Sequence, residues 1–142
     1  MRKVIYLFAL LVVFSSCKKD KENPTPASNE DLIAGTTSKT WGITKVTQAG
    51  QIKTMPDCFY DNIVIFNKNL VYQEIENTKC DEEEDKDLYT GSWNLSTDKK
   101  VININSDGDA YSFTILKLTE TELVVSTMAG AALIEITFTK KS

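Results

Sequence analysis

The chain contains no histidine. A Ser- or Cys-based hydrolase needs a base beside its nucleophile, so this absence removes most nucleophilic catalysis from consideration. It also removes the commonest neutral metal ligand. The three cysteines include no C-x-x-C pair and cannot complete a tetrahedral site, so no metal and no cofactor is expected. Basic residues are outnumbered, 16 against 20 acids, which argues against nucleic acid as a partner. Long apolar runs are scarce as well: only residues 4–14, V-I-Y-L-F-A-L-L-V-V-F, form one.

That single run decides how much of the chain folds. Arg2 and Lys3 precede it and Ser15-Ser16-Cys17 follows, the order of charge, apolar segment and small residues found in an export signal. Eleven residues rise only about 17 Å as a helix, at roughly 1.5 Å each, against a hydrocarbon core of about 30 Å. A permanent transmembrane helix is therefore not expected. The competing reading is a buried helix or strand, which the immediate onset of Lys18-Lys19-Asp20-Lys21-Glu22 disfavours.

The stretch F-S-S-C (residues 14–17) resembles a bacterial lipobox, with Phe14 where Leu is usual. The resemblance implies cleavage before Cys17, a lipid on its sulfur and a lipid-anchored location, with the outer membrane as the expected address. Each buried methylene contributes about 0.8 kcal/mol, so several acyl chains anchor without other membrane-binding devices. Removing residues 1–16 leaves 14 lysines against 20 acids, a formal charge of −6. Residues 17–30 then read as the lipidated cysteine and a flexible tether, with Pro24 and Pro26 and no apolar period. Residues 31–142 are the expected folded domain.

With Cys17 assigned to lipid, Cys58 and Cys80 remain as a pair. In an oxidising envelope they are expected to form a disulfide, whose alternative is two buried free thiols.

From residue 31 onward the pattern is almost wholly β. Segments rich in β-branched and aromatic residues recur at 41–48, 62–67, 70–76, 88–96, 101–105, 110–118, 122–128 and 133–140. Turn signals separate them, among them Ala49-Gly50, Asn67-Lys68-Asn69, Asp107-Gly108-Asp109 and Ala129-Gly130. Tyr111, Phe113 and Ile115, then Ile134, Ile136 and Phe138, alternate with polar residues, so one face is apolar and one wet. Eight such strands must curl over that face. Closure removes exposed edges, which predicts an all-β, eight-stranded antiparallel up-and-down barrel. Asn29 is a candidate N-cap for a short helical turn ahead of the first strand.

Several short motifs resemble the lipocalin-like domain of many bacterial lipoproteins, over residues 31–141. They are K-T-W (39–41), I-F-N-K-N (65–69), K-C-D-E-E-E (79–84), T-G-S-W (90–93) and K-L-T-E-T-E-L (117–123). The resemblance implies a barrel with room for a small ligand, and names neither ligand nor reaction. In the turn after F-N this chain has Lys68-Asn69 where members often have glycine, so a longer turn or Asn at positive φ is expected.

Trp41, Phe66, Tyr72, Trp93, Tyr111, Phe113 and Phe138 are the candidate pocket or core residues, with Tyr89 on the same face. A domain of about 110 residues needs most of these rings to fill its core; the competing reading is a ligand-sized cavity. Trp41 and Trp93 are core residues in either case. No catalytic residue is assigned. The run 81–87, D-E-E-E-D-K-D, reads as a solvated hairpin connection, with weak calcium binding as its functional alternative. Three classes of function follow: a non-catalytic lipoprotein holding a small hydrophobic molecule, an envelope interaction module, and an enzyme working through two facing carboxyls.

Overall fold

The computed structural model describes residues 26–80 and 87–142. The export signal, Cys17, residues 18–25 of the tether and residues 81–86 of the acidic run lie outside the described residues.

The first element is a helix, α1 (Asn29–Ala34). Its cap is Ser28 and not the expected Asn29. Ser28 and Asp31 form a capping box, the serine hydroxyl accepting from the Asp31 amide at 3.1 Å and the Asp31 carboxylate accepting from the Ser28 amide at 3.2 Å. The S-x-x-D spacing outweighs the intrinsic preference of Asn29, so Asn29 and Glu30, read as the end of the tether, are already helical.

Nine strands and a second helix follow: β1 (Ser38–Gln48), β2 (Gln51–Ile52), α2 (Asp57–Tyr60), β3 (Ile63–Asn67), β4 (Val71–Ile75), β5 (Leu88–Leu95), β6 (Val101–Ser106), β7 (Asp109–Leu118), β8 (Glu122–Ala129) and β9 (Ala132–Lys140). The eight expected strands are all present. Two elements have no counterpart in the sequence reading: β2, which only folds back on the end of β1, and α2. Every neighbour is antiparallel in the order β1-β3-β4-β5-β6-β7-β8-β9, and β9 returns to β1, with Trp41 opposite Lys140 and Gln48 opposite Ile134. The sheet is thus a closed up-and-down barrel of eight strands.

Closure requires the strands to coil, and two bulges supply local bending. In β1 the register shifts between Ile43 and Lys45, so the inward set runs Trp41, Ile43, Val46. In β7 it shifts between Ile115 and Lys117, leaving Leu116 about half exposed and turning Leu118 inward. On β5, Gly91 sits so close to β6 that a Cβ there would lie 2.0 Å from the Asn105 carbonyl oxygen. Only glycine permits that approach.

The turn after I-F-N departs from expectation. Asn69 does not take positive φ; Leu70 does, at 69°. The Asn69 side chain accepts from the Val71 amide and Leu70 N–H donates to Asn67 O at 2.9 Å, so the reversal falls one residue later.

The two barrel ends differ. At one, α1 is tied to two turns and to β1: Asn29 Nδ2 donates to Lys99 O, Asp31 pairs with Lys68, and the Leu32 carbonyl accepts from Lys39 Nζ at 2.6 Å. Lys39 is buried, also pairs with Glu120 at 3.1 Å, and lies over the Trp41 ring. Trp41 Nε1 donates to Ile33 O at 2.9 Å, and Ile33 and Ala34 are fully buried. These bonds satisfy carbonyls that a helix end leaves without internal partners. Trp93 donates through Nε1 to Asn67 O at 3.0 Å and packs edge-on to Phe66, ring centroids 5.2 Å apart. Burying such a ring contributes about 3–5 kcal/mol against about 1 for its hydrogen bond. Burial holds the indole and the bond orients it.

At the other end lies α2, tied to the connection after β4 by the disulfide Cys58–Cys80, with Cα atoms 5.3 Å apart. Tyr60 OH donates to Lys53 O and Asn77 Nδ2 donates to Asp61 O, fastening the same segment on both sides.

Candidate ligand pocket

Between the plugged end and α2 the inward side chains do not meet. Trp41 and Trp93 are buried in the core with Ile33 and Ala34 of α1, and none of the four lines the space nearer α2. A cavity of about 200 Å³ remains. Its floor and walls come from Ile43, Val64, Ile102, Leu123, Val125 and Ile136, and its aromatic side from Phe66, Tyr72, Tyr111, Phe113 and Phe138. Phe59 of α2 reaches in from the open end.

Five of the seven aromatic candidates therefore line the cavity, and Trp41 and Trp93 are core alone. The structure thus divides the aromatic set between the cavity lining and the buried core. Tyr89 lies on the same face beyond the cavity lining, half-buried, opposite Glu74.

Glu74 carries no role in the sequence analysis, yet among the described residues it is the one charged side chain in the lining. It stands two residues after Tyr72 on β4, and strand alternation puts both inward. The Tyr72 hydroxyl donates to Glu74 Oε2 at 2.9 Å. Burial pushes the Glu74 carboxyl above the ordinary carboxylate range, partly offset by that bond. Tyr72 is pushed far up by burial and by the neighbouring Glu74 charge. Tyr111 packs edge-on against Tyr72, centroids 6.5 Å apart, and burial raises its hydroxyl too. The three groups make one polar spot on an otherwise apolar wall. Phe59 is the other residue that sequence did not indicate: D-C-F-Y carries no period, and its approach depends on the disulfide.

The wall itself opens at this end. β7 and β8 pair only from Thr114 opposite Ser126 to Leu118 opposite Leu123, and above that point they diverge. A groove of about 390 Å³ occupies the split, lined by Ser112, Thr114, Ser126, Met128 and Leu133, and shares Tyr111 with the cavity. Among the described residues the cavity lining contains one acid, Glu74. Asp107-Gly108-Asp109 forms the β6–β7 turn with φ of 51° and 92° at its centre, as its composition implies. Among the described residues no group of three metal-ligating side chains gathers.

Matching against protein families aligns residues 37–125 of this closed eight-stranded barrel with the lipocalin-like domain. The chain belongs to the lipocalin-like domain family. The match runs from the start of β1 into β8, so it includes six of the eight barrel strands whole and the first half of β8. The family is generally non-enzymatic. A search of curated proteins returns no match to the chain.

Proposed function

We propose that this protein is a lipid-anchored envelope lipoprotein whose lipocalin-like barrel holds a small hydrophobic molecule without transforming it. The observation that carries the reading is the cavity of about 200 Å³ with an almost wholly apolar lining. A dry apolar cavity of about 150 Å³ accepts benzene, so this one has room for a compact molecule of similar or slightly larger size. Anchoring rests on the sequence: the charged start, the apolar run and F-S-S-C at residues 14–17 support a lipid on Cys17, and the outer membrane is the proposed location. α1 begins at Asn29 and caps the plugged end, so a tether from Cys17 would place the mouth away from the bilayer.

Native mass spectrometry of detergent-extracted protein tests the reading as a whole. We expect a chain beginning at Cys17 with added lipid, a two-hydrogen deficit for the Cys58–Cys80 bridge, and a low-mass ligand released on activation. A chain retaining residues 1–16 without lipid would refute the anchor, and failure of any apolar probe to bind would refute the pocket.

One observation favours a second reading, an interaction module. Met128 and Leu133, directly opposite each other on β8 and β9, are 60% and 46% exposed beside the groove. If this surface binds an envelope protein, Met128→Ser with Leu133→Ser abolishes its co-purification and leaves probe binding in the cavity unchanged.

A further inference from the structure

The polar spot in the cavity wall says more about the ligand than the volume does. Glu74 points into an apolar chamber, and among the described residues no cation pairs with it. Its Oε2 accepts from Tyr72, and no described donor reaches Oε1. The groups that face it are Val64 across the β3 pairing, Tyr89 across the β5 pairing, Tyr72 on its own strand and Tyr111 from β7, with Glu76 just beyond the end of β4. None of these carries positive charge. A purely apolar occupant would strip the carboxylate of water and give it nothing in return, which is unfavourable. An anionic occupant would meet a like charge. A hydrogen-bond donor with positive charge makes the strongest contact with such a spot, a neutral donor a weaker one, and the rings of Tyr72 and Tyr111 add favourable cation–π surface.

We propose that the cavity takes a small apolar molecule carrying one protonated amine, seated with its ammonium on Glu74 and its apolar body against Phe66, Phe113 and Phe138. This inference rests on the pocket reading above and narrows it to a ligand class. The burial that raises the Glu74 carboxyl supports it, because an unpaired charge there is penalised, an entering ammonium offsets that penalty, and amine affinity rises with pH as Glu74 ionises.

Benzylamine, benzyl alcohol and benzoate share one shape and differ in charge, so isothermal titration of the full chain with each separates the terms. At pH 7.5, about three units above an ordinary Glu, benzylamine binds at least tenfold more tightly than benzyl alcohol, and benzoate binds most weakly. In Glu74→Gln, where the amide oxygen still accepts from Tyr72, the advantage of benzylamine over benzyl alcohol falls below twofold. Equal affinity of the wild type for amine and alcohol overturns the amine proposal and leaves the pocket standing. Persistence of the amine advantage in Glu74→Gln overturns the role of Glu74. Absence of binding by all three overturns the pocket and the proposal together. The wild-type comparison needs no variant, so the outcome does not depend on Glu74→Gln folding.

Discussion

Removing the Cys58–Cys80 bridge by Cys58→Ala with Cys80→Ala tests whether the mouth of the barrel is held covalently or by packing. The bridge closes a loop with a sequence separation of 22 that contains β3, β4 and α2. In the loop-entropy description such a crosslink stabilises the folded state by about 3 kcal/mol at 25 °C. Packing at the same place is slight: α2 is a four-residue helix with no side-chain cap, no fully buried residue, and Phe59 only partly buried against the core. Little contact energy is therefore available to compensate. We expect the variant to retain the barrel's circular dichroism, to lose about 3 kcal/mol in urea unfolding, and to melt roughly 10 °C lower, using about 4 °C per kcal/mol for a domain of this size. A second consequence is local. With α2 released, Phe59 no longer screens the cavity, so benzylamine dissociates faster while its contacts with Glu74 and the aromatic wall are unchanged. A loss below about 1 kcal/mol with unaltered dissociation would refute the reasoning, because it would mean that α2 is fixed by its own contacts.

The remaining predictions concern single sites. Glu74→Gln raises the denaturation midpoint at pH 8 and has no effect near pH 4: the folded carboxyl titrates above its unfolded value, so stability falls as pH rises through that interval, and the amide removes the fall. Parallel urea curves for both proteins at the two pH values check it, and a gain of equal size at pH 4 would contradict it. Gly91→Ala drives a Cβ into the Asn105 carbonyl at 2.0 Å and should cost about 3 kcal/mol or prevent folding, read from thermal unfolding against wild type. Ala49→Asn stabilises by about 0.5 kcal/mol, because Ala49 and Gly50 form the β1–β2 turn with φ of 50° and 79°, a conformation that Asn adopts with less strain than Ala.

The fold was legible because its cues are local. Tyr111, Phe113 and Ile115 alternate at a period of two, and Ala49-Gly50 and Asp107-Gly108 are turn pairs wherever they occur between strands. Both signals span two to four residues, so they survive translation into structure with small shifts at the ends, as at Ser28 and Leu70. The pairing of Cys58 with Cys80 was legible by counting once Cys17 was set aside. Glu74 was half legible: its parity with Tyr72 was visible, but an alternating acid at the end of a strand reads equally as an exposed edge. Phe59 was not legible at all, since nothing in D-C-F-Y indicates what lies below it.

By itself, the sequence determined the eight strands, their antiparallel order, the apolar face and the disulfide pair, because each depends on neighbours a few residues apart or on the composition of the chain. The tertiary structure decided which rings fill and which merely line. Trp41 is packed because α1 folds down on it and Trp93 because it lies against Phe66 and the Asn67 carbonyl, whereas Phe66, Tyr72, Tyr111, Phe113 and Phe138 are left facing a space of about 200 Å³ because β1 and β9 close the sheet at a fixed circumference. Whether a side chain reaches its opposite wall is set by the barrel's diameter. That quantity belongs to all eight strands together and to no segment of the chain.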